Sequence, residues 1–215
     1  MLPIHRSKKQ AQRYYNRISG IYDWLTAGEK NLIRNGVELL APKPGENILE
    51  IGCGTGTGLK WIAEALSGSG QVIGLDLSYQ MLIKSQGKSR QLKPEPALIL
   101  GDGAKLPLQN DYFDAIFCAF TLELFPKDEM MIVMEEFSRV LKRPGRIAVM
   151  ALSREPYNLP VRIYEFAHQQ FPVALDCRPI PLVEILTKCG IEITRTQKIM
   201  NWGLPVDLIS GTISH

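Results

Sequence analysis

Glu50-Ile51-Gly52-Cys53-Gly54-Thr55-Gly56 follows the apolar run Asn47-Ile48-Leu49, and this stretch decides the fold. Glycines at alternate positions allow backbone angles closed to other residues and let the chain approach a ligand closely. Upstream, residues 47–51 read as a strand; downstream, Leu59, Ile62, Ala63 and Leu66 share one helical face. A glycine turn between strand and helix sits at the carboxyl end of the strand, where open α/β sheets bind their ligands. Alone, it is equally compatible with a structural turn, a dinucleotide site or a nucleotide loop.

The same unit repeats outward. Residues 71–75 form a short apolar strand ended by Asp76, and Ser78 can cap a helix carrying Met81 and Leu82. Residues 97–100 and 113–120 read as a third and a fourth strand. Met130, Val133, Met134, Phe137, Val140 and Leu141 mark an amphipathic helix, and the methionines there are face packing rather than a cofactor box. A turn at Arg143-Pro144-Gly145 leads to a fifth strand, 146–152. Towards the N-terminus, Ala11, Tyr14, Tyr15 and Ile18 predict one helix closed by Gly20. Leu32, Ile33, Gly36, Val37 and Leu40 predict a second, stopped by Pro42-Lys43-Pro44-Gly45. Near the C-terminus, Leu182, Ile185, Leu186 and Cys189 predict a helix ended by Gly190. Strand-like residues 191–199 and 204–209 follow with no helix between them, which predicts an antiparallel hairpin at the sheet edge. Strands alternating with helices imply an α/β class with a parallel sheet covered on both faces. No repeat or linker divides the chain.

A length of 215 residues suits one domain, and a net charge of +3 is too small to imply nucleic acid. No run of about 18 apolar residues is present, and the opening MLPIHRSKKQ lacks the apolar core of a secretory signal, so a cytoplasmic protein is expected. Cys53, Cys118, Cys177 and Cys189 contain no CxxC pair and are expected to be free thiols. With histidine only at positions 5, 168 and 215, no metal site is expected.

Three features narrow the glycine loop. Its spacing is GxGxG, with no Lys-Ser/Thr to hold phosphates. Asp76 ends the next strand, where a carboxylate can accept both ribose hydroxyls, although a helix cap would also explain it. Asp102, in Gly101-Asp102-Gly103, follows the third strand and can accept from an adenine amino group, or can merely shape a turn. A nucleoside site without a phosphate clamp suits an adenosyl group attached to an amino acid.

The segments ILEIGCGTG, VIGLDLS with Met81-Leu82, LILGDGAKLPLQNDYFDAIFC and EEFSRVLKRPGRIAVM resemble the successive motifs of class I S-adenosylmethionine-dependent methyltransferases. The nearest branch contains ubiquinone/menaquinone-biosynthesis C-methyltransferases and phospholipid N-methyltransferases, and the likeness covers residues 10–152. The resemblance implies a Rossmann-like, doubly wound seven-stranded sheet, mostly parallel with an antiparallel C-terminal hairpin, and S-adenosyl-L-methionine as cofactor. It implies a single methyltransferase domain with an N-terminal helical lid (1–44), a cofactor-binding core (45–152) and a substrate-facing insertion with closing hairpin (153–215). By position, Glu50 would support the loop, and Gly52, Cys53, Gly54 and Gly56 would line the methionine portion. Asp76 would bind ribose, Leu77 and Met81 would flank adenine, Asp102 and Gly103 would meet the base edge, and Cys118 and Ala119 would lie beside the sulfonium.

The catalytic residue is left open. Tyr22 and Asp23 belong to an aromatic segment that resembles the family's lid, and His168 lies in an insertion, 156–171, suited to acceptor contacts. Glu123, Tyr157 and Tyr164 are further candidates on the same footing as His168. The expected acceptor is small and lipid-like, a quinone precursor or a phospholipid amine. The basic stretch 5–17, with Arg6, Lys8, Lys9, Arg13 and Arg17, would suit peripheral contact with anionic lipid, and residues 156–180 would make an apolar acceptor wall. The alternatives are methylation of a soluble specialised metabolite, an RNA-modifying enzyme, a dehydrogenase and a non-catalytic scaffold. The absence of interleaved basic and aromatic motifs argues against nucleic acid.

Overall fold

The computed structural model describes residues 6–170 and 177–213. His5, His215 and residues 171–176 of the expected acceptor wall therefore lie outside the described residues. In chain order the elements are α1 (Lys8–Ile18), α2 (Tyr22–Leu25), a 3-10 turn (Ala27–Glu29), α3 (Lys30–Leu40), β1 (Asn47–Ile51), α4 (Thr57–Leu66), β2 (Gln71–Asp76), α5 (Tyr79–Ser89), β3 (Ala97–Leu100) and β4 (Phe113–Ala119). There follow a second 3-10 turn (Leu122–Leu124), α6 (Lys127–Val140), β5 (Leu141–Leu152), α7 (Leu159–Gln170), α8 (Leu182–Lys188), β6 (Glu192–Asn201) and β7 (Leu204–Ile213).

Local chemistry sets the boundaries. Ser7 opens α1 by accepting from the Gln10 amide while the Gln10 side chain accepts from the Ser7 amide, a reciprocal capping box. Ser78 caps α5 through Met81 N–H. α8 stops before Gly190, whose φ of +76° continues the chain in the left-handed region.

The sheet runs β3-β2-β1-β4-β5-β7-β6. Its first five strands are parallel, and β7 lies antiparallel between β5 and β6. The seven-stranded, mostly parallel sheet with an antiparallel C-terminal hairpin is therefore present. Strand direction of growth reverses between β1 and β4, which opens a crevice at their carboxyl ends. Alternate residues of β4 feed opposite cores: Ile116 and Cys118 join the layer under α6 and α8, whereas Ala115 and Phe117 join the layer under α3 and α4.

Two details differ from the sequence reading. Arg143-Pro144-Gly145 does not precede the fifth strand but lies inside β5, which begins at Leu141. Phe113 pairs with Leu141 and Ala115 with Arg146, so the extra residues form a bulge in the ladder. The hairpin strands are also longer than expected, because β7 is zipped on both sides and stays paired from Leu204 to Ile213.

Candidate cofactor and acceptor site

The loop after β1 turns three times through the left-handed region, with φ of +70° at Gly52, +52° at Gly54 and +87° at Gly56. Gly52 has a second reason to lack a side chain: a Cβ there would lie 2.1 Å from Thr121 Oγ1. Gly52 and Cys53 N–H both donate to the Leu75 carbonyl, at 2.8 and 3.1 Å, which holds the loop against β2. Asp76 then stabilises it, Oδ2 accepting from Gly54 N–H at 2.8 Å and Oδ1 from Ser78 N–H at 2.7 Å. Burial pushes the Asp76 carboxyl above its usual range, and the amides of Ser78, Gly54 and Leu77 oppose that shift. A further donor arriving on the open side would be favoured.

Glu50 lies beneath the loop, buried, and a Cβ at Gly58 would meet its Oε1 at 2.2 Å. Burial first, and then the charge of Asp76, raise its carboxyl well above the usual carboxylate range, against one hydrogen bond from the Leu59 amide. Cys53 turns towards Gly74 and Leu59, and Cys118 points into the core layer under α6. Burial raises both thiols, helped at Cys53 by Asp76 and Glu50 and at Cys118 by Glu123, so neither is an activated nucleophile. Gly103 packs against Phe125 and Ile51.

Gly52, Gly54, Asp76, Leu77, Met81 and Ala119 line one cavity of about 520 Å³, a size suited to a small-molecule site. Tyr15 and Tyr22 from the N-terminal segment, Phe120, Thr121, Leu124 and Phe125 after β4, and His168 from α7 add to its walls, with the charged groups of Arg6, Lys8, Lys9 and Glu129 also on the lining. Glu50, Cys53, Gly56, Asp102, Gly103 and Cys118 stand behind the lining rather than in it. Of the three catalytic candidates, Tyr22 and His168 reach the cavity and Asp23 does not. Asp23 instead accepts from Thr55 Oγ1 at 2.5 Å and pairs with Lys88 at 2.6 Å. The further candidates also turn away: Tyr164 donates to the Cys177 carbonyl, Tyr157 to Glu165, and buried Glu123 accepts from the Leu152 amide. Among the described residues, no cluster of three carboxylate, histidine or cysteine groups could hold a metal.

The N-terminal segment is docked by residues that the sequence reading did not single out. Gln12 Nε2 donates to the Leu77 carbonyl at 2.9 Å, and Asn16 Oδ1 accepts from Ser78 Oγ and Gln80 N–H at 2.7 and 3.1 Å. Lys8 does not face outward as a basic lipid-binding face would require: its ammonium pairs with Asp102 at 2.6 Å and Glu129 at 3.0 Å. Lys8, Gln12 and Asn16 recur every fourth residue, a polar stripe that becomes legible only once its partners are known.

Residues 48–145 match the family described as a methyltransferase domain. The 2-phytyl-1,4-naphthoquinone methyltransferase of Synechococcus elongatus is 32% identical over 160 residues, 70% of this chain and 66% of that protein. The demethylmenaquinone methyltransferase of Lysinibacillus sphaericus is 31% identical over 152 residues, 70% of this chain and 62% of that protein. The matches thus span just under two thirds of these relatives' lengths. The fold is also that of the Synechocystis magnesium protoporphyrin IX methyltransferase solved with S-adenosylhomocysteine, at a TM-score of 0.76 and 19% identity, covering 97% of this chain and all of that one. Over residues 48–145, then, the chain is similar to the family described as a methyltransferase domain.

Proposed function

We propose that this protein is a class I S-adenosylmethionine-dependent methyltransferase whose acceptor is small and lipid-like, a quinone precursor or a phospholipid amine. The observation that carries the cofactor half is Asp76: a half-buried carboxylate on the cavity wall, at the carboxyl end of β2, beside three left-handed glycines. The donor set fits the group, because the glycine backbone leaves room for a close approach and no phosphate clamp is built. In this reading Asp76 accepts from ribose, Leu77 and Met81 flank adenine, and Gly52, Gly54 and Ala119 line the methionine portion. Glu50 and Gly56 support the loop from behind, with Cys53 and Cys118 as apolar packing. Asp102 serves the base end from behind the lining, by holding Lys8 on the cavity wall. When bound, S-adenosylmethionine supplies an already activated sulfonium methyl. The protein's task is then orientation for in-line attack, worth about 7–11 kcal/mol when well executed. Tyr22 and His168 face the acceptor half, and His168 is suited to take a proton where the acceptor must lose one. Residues 1–44 act as the lid, 45–152 as the cofactor core and 153–215 as the acceptor side.

The lipid-like acceptor draws support from the aromatic and apolar walls of the cavity and from the quinone chemistry named for the two sequence relatives. Among the described residues no helix is long and apolar enough to cross a membrane, so an acceptor of this kind would be met at a surface. The deciding experiment is calorimetric titration of S-adenosylmethionine and S-adenosylhomocysteine into the wild type and Asp76→Ala. Loss of a charged acceptor should weaken binding on the order of 100-fold. An unliganded wild type, or an Asp76→Ala protein that binds as well, would sink the cofactor reading.

A further inference from the structure

α7 is folded with its apolar stripe outward. Leu159, Ile163 and Phe166 are exposed and lie on one helical face, at spacings of four and three residues. The opposite face carries Val161, Glu165 and His168, all buried, with His168 on the cavity wall. A helix that hides a glutamate and a histidine while presenting leucine, isoleucine and phenylalanine to solvent offers its outer face for docking.

α2 and the β6–β7 hairpin extend the same surface. On α2, Tyr22 faces the cavity while Trp24 is 79% exposed. At the hairpin tip Trp202 is 88% exposed. The tip stands at the carboxyl end of β5, since Leu152 pairs with Val206, so it shares the edge of the sheet with the glycine loop. It also touches both neighbours. The Cβ position of Gly28, just after α2, is 3.0 Å from Trp202 Nε1, and Asn158, just before α7, donates to the Gly203 carbonyl at 3.3 Å. Two of these segments therefore wall the cavity on one side and expose tryptophan or phenylalanine on the other. Exposed Arg17, Lys30 and Arg162 flank the apolar positions, on or beside the same segments.

Resting on the acceptor reading above, we propose that this rim, formed by α2, α7 and the β6–β7 tip, docks on an anionic phospholipid bilayer and brings the cavity to its acceptor. Aromatic side chains ringed by cations suit the interface of such a membrane, where the rings enter the headgroup layer and the cations meet anionic lipid. The docking face is this rim rather than α1 alone, since Lys8 of α1 is committed to Asp102 and Glu129.

The test is flotation of the full chain with phosphatidylcholine vesicles that contain about one-third phosphatidylglycerol, against pure phosphatidylcholine. The variants are Trp24→Gln combined with Trp202→Asn and, separately, Phe166→Gln. Asparagine suits position 202 because its φ is +52°. The wild type should float with the anionic vesicles and be released by salt. Each variant should partition about tenfold less or weaker still, with unchanged melting and unchanged S-adenosylhomocysteine binding. A wild type that floats with neither vesicle, or variants that float equally well, would overturn the proposal while leaving the cofactor reading intact. A wild-type dimer in sedimentation velocity, broken by the variants in a protein that ignores vesicles, would assign the rim to a second copy and also overturn it.

Discussion

Gly52 shows how much a single position can be asked to satisfy. Its φ of +70° disfavours a side chain, and a Cβ would lie 2.1 Å from Thr121 Oγ1, which is itself tied to the Ala119 carbonyl at 2.9 Å. Gly52→Ala should therefore destabilise the fold by about 2–5 kcal/mol in urea denaturation, from left-handed strain plus overpacking. Gly20→Ala, with nothing within 4 Å of the added Cβ, should be close to neutral. Equal effects at the two positions would refute the close-approach account. The loop glycines were legible in the sequence because each alternate position carries a backbone conformation. The fates of Cys53 and Cys118 were not, since a small apolar side chain can serve a ligand or the core; the register of β4 turned Cys118 into one core layer, and the loop after β1 put Cys53 in the other.

At the scale of elements, the N-terminal segment is clasped to the core at both ends of α1 and at α2. The α2 clasp is Asp23 with Lys88 and Thr55. Burial pushes the Asp23 carboxyl up, but hydrogen bonds from Lys88 and Thr55 and the charges of Lys88 and Lys30 outweigh it and hold the group below its ordinary range. A depressed folded value means the clasp contributes fully above the unfolded aspartate range, about 3.9, and is lost as pH falls through the folded value. Because the pair is half-exposed and screened by water, it is worth no more than about 1 kcal/mol. Amide exchange across residues 21–26 should accordingly quicken only a few-fold in Lys88→Met at neutral pH. In the wild type the same loss of protection, taken relative to the intrinsic exchange rate at each pH, should appear only once the pH drops below the aspartate range. Exchange insensitive to Lys88→Met would show that the aromatic contacts of Tyr15 and Tyr22 hold the segment by themselves.

For the whole molecule, the cavity draws its walls from segments as far apart as Ser7 and His168, so occupation should couple them. S-adenosylhomocysteine at about a hundred times its dissociation constant adds about 2.7 kcal/mol to the folded state. For a chain of this length that corresponds to a rise in Tm of roughly 5–10 °C, read by calorimetry, and Asp76→Ala should abolish it. A rise that survives in Asp76→Ala would point to a ligand site elsewhere.

The strands, most of the helices and the glycine loop were readable from residue order, because periodicity, caps and left-handed glycines act within a few residues of themselves; α2 and α7 were not among the predicted helices. Asp76 was readable too, its partners Gly54 and Ser78 belonging to the adjoining turns. The bulge within β5 was not readable, since it exists only in the pairing with β4. Nor were Lys8, Gln12 and Asn16 as docking residues, or Asp23 as a clasp rather than a cavity group, because a polar side chain on a helix declares its role only through a partner far along the chain. Tertiary structure alone turned α7 over, sending Glu165 and His168 inward and Phe166 outward. Amphipathic periodicity specifies that a helix has two faces; which of them meets water is decided by what the rest of the fold packs against it.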